Sequence, residues 1–270
     1  MHIGDAAFDN AAMKFFRALL VALALLPAAA WAQPSATGVV LMHGKWGTPD
    51  KGIQPAELEL RGAGFLVVSS EMPWSDRRAY DASFDEAMAQ IDGEVAKLRA
   101  QGARKIVVGG QSFGANMALA YAARHPDVAG VIALAPGHSP ERFAGNPRMA
   151  ESLAKAKSLL AAGKGGTFAN FNDVNQGKTR EVSAKPAVYI SYFDPAGPAV
   201  MPRSAAMMSP NTALLMIVGT RDPMYSAGPG SIFDRAPKNP YSRYQNVDAD
   251  HFGTPAAARR IVVDWVKGLS

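Results

Sequence analysis

The strongest constraint on the fold is a strand, a glycine-flanked turn and a helix that follow one another without a linker. Residues 106–108 form a β-branched apolar run, which is typical of a buried strand. Residues 115–124 are rich in alanine and predict a helix. Between them lies Gly-Gln-Ser-Phe-Gly over residues 110–114. A direct turn from strand to helix brings backbone segments close together, and glycine on each side avoids a steric clash because it has no Cβ. We expect Ser112 to stand exposed at the apex of this turn.

The first half of the chain alternates between strands and helices. We predict strands at residues 38–42, 64–70, 106–108 and 128–134, separated by helices at 54–62, 83–101 and 115–124. The second helix is amphipathic, with apolar residues at alternating steps of four and three on one face: Phe84, Met88, Ile91, Val95 and Leu98. This order predicts an α/β fold with a mostly parallel central sheet and helices on both faces.

The second half is less regular. Residues 139–185 are predicted to form a cap or lid-like excursion, with a helix at 149–162 and a polar surface loop over 163–182. Five further elements are expected after it. They are a strand-like run, a short helix, two strands and a closing helix, at residues 187–192, 201–208, 213–218, 242–247 and 255–269.

The N-terminus has the pattern of a signal peptide. Lys14 and Arg17 precede an apolar run over residues 18–26, and Ala-Trp-Ala at 30–32 matches a cleavage signal. We therefore expect cleavage after Ala32, with residues 1–32 removed and a single domain over 33–270. Residues 1–12 lie upstream of the positive segment, so Met13 remains an alternative start.

Composition narrows the function classes. The chain has no cysteine, so disulfides, a thiol nucleophile and a lipid-modified cysteine are excluded, and a periplasmic or secreted product is expected. The formal charge is +5, but the Lys and Arg residues are scattered, which does not favour a nucleic-acid partner. No stretch beyond residue 32 has the length of a membrane span.

Four features together resemble the α/β-hydrolase superfamily, over nearly all of residues 36–270. They are His43-Gly44 after the first strand, the G-x-S-x-G turn, Asp222 after a late strand, and His251 ahead of the last helix. The family's order of catalytic residues is Ser, Asp or Glu, then His. The resemblance implies that Ser112 is the nucleophile, His251 the general base, and Asp222 the carboxylate that orients the imidazole.

The other histidines and aspartates fit these roles less well. They are His43, His125 and His138 for the base, and Asp194, Asp248 and Asp250 for the carboxylate. Asp248 and Asp250 are too near His251 in sequence for the usual side-on geometry, whereas Asp194 is a more distant alternative.

The resemblance also implies an oxyanion hole. Its backbone N–H donors would be those of Phe113 and Lys45, with Trp46 as the alternative to Lys45. Trp46, Trp74 and Tyr225 lie in loops at the same end of the sheet and either line an acyl pocket for substrate or serve as packing aromatics.

These features predict an exported serine hydrolase, carboxylesterase-like, that cleaves a small-molecule ester through an acyl-enzyme on Ser112. Thioesters and peptides use the same groups and stay open as substrates. The alternative class is a binding or accessory protein with the same fold and no turnover. No metal-ligand spacing and no dinucleotide or phosphate-binding fingerprint is present, so no cofactor is implied.

Overall fold

The computed structural model of the protein describes residues 37–143 and 145–269. Its centre is a six-stranded sheet in the order β2-β1-β3-β4-β7-β8, and all five pairings in it are parallel. A separate antiparallel hairpin is formed by β5 and β6. The strands are β1 Thr37–Met42, β2 Leu66–Val68, β3 Lys105–Gln111, β4 Gly130–Leu134, β5 Ala169–Asn175, β6 Lys178–Ala184, β7 Ala213–Gly219 and β8 Arg243–Val247.

Helices separate most of these strands, and three single 3₁₀ turns lie between residues 225 and 235. The helices are α1 Gln54–Gly62, α2 Phe84–Ala100, α3 Phe113–Ala122, α4 Pro140–Phe143, α5 Pro147–Ala161, α6 Pro186–Phe193, α7 Met201–Ala206 and α8 Thr254–Gly268. The predicted alternation and the parallel sheet are therefore confirmed.

Both faces of the sheet are covered, because alternate residues of a strand point to opposite sides. Val39 and Leu41 of β1 belong to one apolar cluster, which contains residues of α1 and α8. Val40 and Met42 belong to a second, larger cluster with residues of α2, α3, α5 and α6. Every residue of β1 is buried, as a central strand with two covered faces requires.

Two predictions for the second half are wrong. Residues 187–192 form part of helix α6 and not a strand, and residues 163–182 are not a loop but contain most of the β5–β6 hairpin. The excursion predicted at 139–185 thus contains helices α4 and α5 and this hairpin, which we call the cap hairpin. The helix predicted at 149–162 is confirmed as α5.

The predicted signal peptide, its cleavage site and the alternative start lie outside the described residues. Within residues 37–143 and 145–269, no helix is both long and apolar enough to span a bilayer.

Candidate active site

Ser112 lies at the point where β3 ends and α3 begins, with φ 55° and ψ −115°. This is a backbone conformation that residues other than glycine rarely adopt, and it marks a strained turn. A side chain at Gly110 would overlap the carbonyl oxygen of Met42, and one at Gly114 would overlap that same atom. The two glycines therefore allow β1 to lie against the turn. The Ser112 side chain at the apex is buried, so the prediction that it stands exposed is wrong.

Asp222 and His251 meet beside this turn. The loops after β7 and β8 carry them to the same edge of the sheet, and His251 Nδ1 donates to Asp222 Oδ2 at 2.6 Å. The second carboxylate oxygen accepts the backbone N–H of Met224 at 2.7 Å. Both side chains are buried, so the bond is shielded from water. The Asp–His pair expected from chain order is formed.

The free nitrogen of His251 lies close to Ser112. Its Nε2 is buried and has no hydrogen-bond partner among the described residues. A Cβ placed on Gly137 would lie 2.7 Å from Ser112 Oγ and 3.6 Å from His251 Cε1, so both groups border one small space. No Ser112–His251 hydrogen bond is formed among the described residues; such bonds often tighten only when substrate is bound.

Two backbone N–H groups near Ser112 have no acceptor among the residues that the structure describes. They belong to Phe113, the first residue of α3, and to Lys45, in the loop after β1. The N–H of Trp46, by contrast, donates to Trp74 O at 2.9 Å. Between the two alternatives for the second oxyanion donor, the geometry therefore favours Lys45.

Trp74 supports this loop and does not line the cleft. It is fully buried, and its Nε1 donates to His43 O at 2.9 Å. The Nε2 atom of His43 accepts a hydrogen bond from the backbone N–H of Met72, and its Nδ1 donates to the carbonyl oxygen of Gly44. Of the two alternatives for Trp74, the structure shows the packing role, because its ring lies under the loop against Phe113 at 5.0 Å between centroids.

A cleft of about 200 Å³ opens above Ser112 and His251. The residues around it come from the loops after β1, β4 and β7, from α4, and from the β5–β6 hairpin: Lys45, Pro136, Gly137, His138, Ser139, Arg142, Phe143, Val174, Asn175, Gln176, Pro223 and Met224. Trp46 and Tyr225, both predicted to line an acyl pocket, are not among them. The Arg180 guanidinium lies over the Trp46 ring, with Cζ 4.0 Å from the ring centroid. The Tyr225 side chain is exposed.

His138 is a cleft residue whose place the sequence did not indicate. Its ring stacks on Phe113 at 3.9 Å between centroids, and Nε2 donates to Tyr192 O at 2.8 Å. Burial, with the nearby Lys45 ammonium adding to it, holds the pKa of His138 well below its ordinary value. We conclude that it is neutral at physiological pH and joins α6 to the start of α3.

Asp173, in the cap hairpin, is the second residue that sequence reasoning missed. It is fully buried and forms an ion pair with Lys45 Nζ at 2.6 Å. Burial lowers the pKa of Lys45, and the neighbouring Asp173 opposes that shift. The sequence did not indicate this ion pair, because Asp173 is a single aspartate in a polar stretch. The only signal of a buried strand face was the apolar residue two positions before it, Phe171.

No group of three or more His, Cys, Asp or Glu residues with the geometry of a metal site occurs within the described part of the chain. The chemistry of the site thus depends on a serine, a histidine, a carboxylate and backbone donors.

The fold and this arrangement define an α/β-hydrolase. A family model described as serine aminopeptidase S33 matches residues 50–192, more than half of the 270-residue sequence. The chain belongs to this family of α/β-hydrolases. No match was found among curated protein sequences.

Solved structures agree on the fold. A monoacylglycerol lipase from Paleococcus ferrophilus is 22% identical, with 86% of this chain and 95% of the lipase covered and a TM-score of 0.62. A thermostable carboxyl esterase from Bacillus coagulans is 16% identical, with 86% and 90% covered and a TM-score of 0.58. Est1E from Butyrivibrio proteoclasticus is 14% identical, with 88% and 90% covered and a TM-score of 0.62. At these identities the likeness establishes the fold alone.

Proposed function

We propose that the protein is a carboxylesterase-like serine hydrolase that forms an acyl-enzyme on Ser112. The observation that carries the proposal is the 2.6 Å bond between His251 and Asp222 beside a strained, glycine-flanked serine. In a reaction, Ser112 Oγ attacks the ester carbon while His251 Nε2 accepts its proton. Asp222 stabilises the imidazolium without taking the proton.

The developing oxyanion would be bound by the N–H groups of Phe113 and Lys45, neither of which has an acceptor among the described residues. The positive end of helix α3 lies at Phe113 and adds to this stabilisation. His251 then passes its proton to the leaving alcohol. A water, activated by the same imidazole, releases the acid and restores Ser112.

The cleft favours an ester over an N-terminal peptide as substrate. The family's name makes an aminopeptidase the second candidate, and such an enzyme must bind the substrate's terminal ammonium group. None of the described residues that line the cleft is an aspartate or glutamate, and the guanidinium-bearing Arg142 borders it. A cleft of this composition disfavours a cation, and its volume of about 200 Å³ suits a short acyl group.

The decisive experiment treats the purified protein with a fluorophosphonate and maps the adduct by mass spectrometry. We expect one adduct, on Ser112, and its loss in Ser112→Ala and His251→Ala. Turnover of p-nitrophenyl acetate or butyrate should follow the same pattern, and amino-acid p-nitroanilides should be cleaved at least about tenfold more slowly. Folded wild-type protein without an adduct would favour the non-catalytic binding protein, and preferred cleavage of the anilides would favour the aminopeptidase.

We also propose that the protein is exported to the periplasm or the medium by its N-terminal segment. The support is the charge, apolar run and cleavage pattern of residues 14–32. Expression of the full chain in a Gram-negative host should yield protein in the periplasm or medium that begins at Gln33. An uncleaved cytoplasmic product would refute this.

A further inference from the structure

The carboxylate of Asp173 joins the cap hairpin to the body of the protein. It accepts hydrogen bonds from Lys45 Nζ at 2.6 Å, from Trp46 Nε1 at 2.7 Å and from Tyr80 OH at 2.7 Å. Two of these donors belong to the loop after β1, which also carries the unpaired Lys45 N–H. A fully buried carboxylate with three donors is satisfied only while hairpin and loop stay together.

Lys45 is held by strand β5 at both its side chain and its backbone. Its Nζ donates to Asp173 and also to Val174 O at 3.0 Å. Its carbonyl oxygen accepts from Asn175 Nδ2 at 3.2 Å. Since the side chain and the carbonyl group are both fixed, the backbone torsions of Lys45 are fixed, and the direction of its N–H with them.

The Lys45 ammonium also lies among three aromatic rings. The centroids of Phe113, Phe143 and Phe193 are 5.7, 5.4 and 5.1 Å from Nζ. Rings at this distance attract a cation, but they do not replace water as ligands. The buried charge of Lys45 is therefore tolerated because Asp173 neutralises it. Without the hairpin, the loop after β1 would lose the conformation that this ion pair fixes.

We propose that Asp173 is a positioning residue for the oxyanion hole, which it sets by fixing Lys45. Asn175 assists from the same strand. Asp173 does not touch substrate; it acts through the Lys45 N–H, and the inference rests on the proposed function of that group. The cap hairpin is thus a structural part of the catalytic centre and does more than cover it.

The test compares Asp173→Asn with Asp76→Asn. Asp76 forms an exposed ion pair with Arg180, so its variant breaks a second contact of the same hairpin with the body without touching Lys45. For a p-nitrophenyl ester of a short acid, Asp173→Asn should lower kcat by roughly tenfold to hundredfold and leave KM within about threefold, since a displaced oxyanion donor acts on the transition state. Asp76→Asn should remain near wild type.

A trifluoromethyl ketone distinguishes positioning from a general loss of structure. This inhibitor adds to serine as a tetrahedral oxyanion, so its affinity should fall in Asp173→Asn in parallel with kcat/KM. A substrate-like ester with unchanged KM serves as the ground-state reference. Equal affinity of the ketone for both proteins would contradict the proposal.

Asp173→Asn leaves the Lys45 charge buried without a carboxylate, so two further variants guard against misfolding. Lys45→Met combined with Asp173→Asn removes both charges, and Asn175→Ala removes the bond to the Lys45 carbonyl while it leaves both charges in place. Both should fold, with kcat reduced by at least about tenfold in the double variant and about threefold in Asn175→Ala. Wild-type kcat in both would overturn the proposal.

Amide hydrogen exchange in the loop over residues 43–47 tests this inference independently of the proposed function. Exchange there should be faster in Asp173→Asn than in Asp76→Asn, whether or not the protein turns over esters. If wild-type protein neither hydrolyses esters nor reacts with a fluorophosphonate, the proposed function fails while the exchange still tests the coupling. Folded Asp173→Asn with wild-type exchange in this loop overturns the inference.

Discussion

At the scale of single residues, the hydrogen bonds of Asp222 decide which ring nitrogen of neutral His251 carries the proton. Oδ1 is taken by the Met224 N–H at 2.7 Å, so Oδ2 is the oxygen that faces His251 Nδ1, at 2.6 Å. A carboxylate at this place can only accept, so the imidazole must carry its proton on Nδ1. Nε2 is then left as the acceptor that a serine nucleophile needs.

Replacing Asp222 with Asn should reverse this tautomer. The amide oxygen of Asn would keep the Met224 N–H, which turns its NH₂ group toward His251 Nδ1. The imidazole would then hold its proton on Nε2 and could not accept the proton of Ser112, so we expect kcat to fall by roughly 10³–10⁴-fold with little change in fold. Steady-state kinetics and circular dichroism check both parts.

Asp250→Asn is the matched control for that variant. Asp250 lies next to His251 and accepts the Gly253 N–H at 2.7 Å, a bond that an Asn oxygen can also make. Its turnover should stay within about twofold of wild type. A loss below tenfold in Asp222→Asn, or an equal loss in the control, would remove Asp222 from its proposed role.

The sequence predicted the residues that come together in the site more accurately than it predicted the residues that line the cleft. The meeting of Ser112, Asp222 and His251 follows from topology, because each comes after a parallel strand and such strands end at one edge of a sheet. Whether Trp74 or Tyr225 faces a cleft depends on packing in three dimensions, which local pattern does not encode. Both residues lie in loops at the correct edge, and neither lines the cleft.

At the scale of elements, the turn from β3 to α3 depends on the absence of side chains at two positions. A Cβ on Gly114 would lie 2.7 Å from the Met42 carbonyl carbon and 2.8 Å from the His43 oxygen. These are backbone atoms of β1 and its loop, which cannot shift without moving the sheet.

Gly114→Ala should therefore reduce the free energy of unfolding by about 2–3 kcal/mol, as overpacking against a rigid backbone does. Gly93→Ala, in the middle of α2, is the control, because nothing lies within 4 Å of a Cβ there. It should raise stability by about 0.5–1 kcal/mol, since alanine favours a helix over glycine. Urea denaturation measures both, and equal effects of the two changes would contradict this account of the turn.

The two regions that the sequence did not predict correctly, the β5–β6 hairpin and helix α6, were missed for different physical reasons. The β5–β6 hairpin has a buried face at alternate positions, Phe171 and then Asp173, but a carboxylate there conceals the apolar alternation. Its tight turn places Gln176 at φ 47° and Gly177 at φ 76°, and glutamine is an unusual residue for that conformation.

Helix α6 was missed because its residues favour a strand. Its sequence, Pro-Ala-Val-Tyr-Ile-Ser-Tyr-Phe, is rich in β-branched and aromatic residues, which favour a strand. The buried residues Val188, Tyr189, Tyr192 and Phe193 nevertheless follow the helical period, and Pro186 occupies the start of the helix. Tertiary burial against α5 and α2 outweighed local propensity.

At the scale of the whole molecule, two histidines link stability to pH. His43 and His138 are both buried, and burial lowers the pKa of each below its ordinary value. In the unfolded chain they titrate near pH 6.5, so between that pH and their folded pKa the unfolded state binds more protons than the folded state. Their contribution to stability is present above about pH 6.5 and is lost as the pH falls.

We therefore expect the free energy of unfolding to fall as the pH is lowered from 7.5 to 5.5, with each histidine adding up to about 1.4 kcal/mol per pH unit. Glu141, whose pKa is raised by burial, opposes this trend, so a variant is needed to isolate the histidines. His138→Gln can retain a donor to Tyr192 O but does not titrate, and its unfolding energy should depend less steeply on pH. Denaturation curves across this range measure the slope. The same slope in wild type and variant would mean that His138 is not buried in its neutral form, and the packing of α6 on the Phe113 ring would need revision.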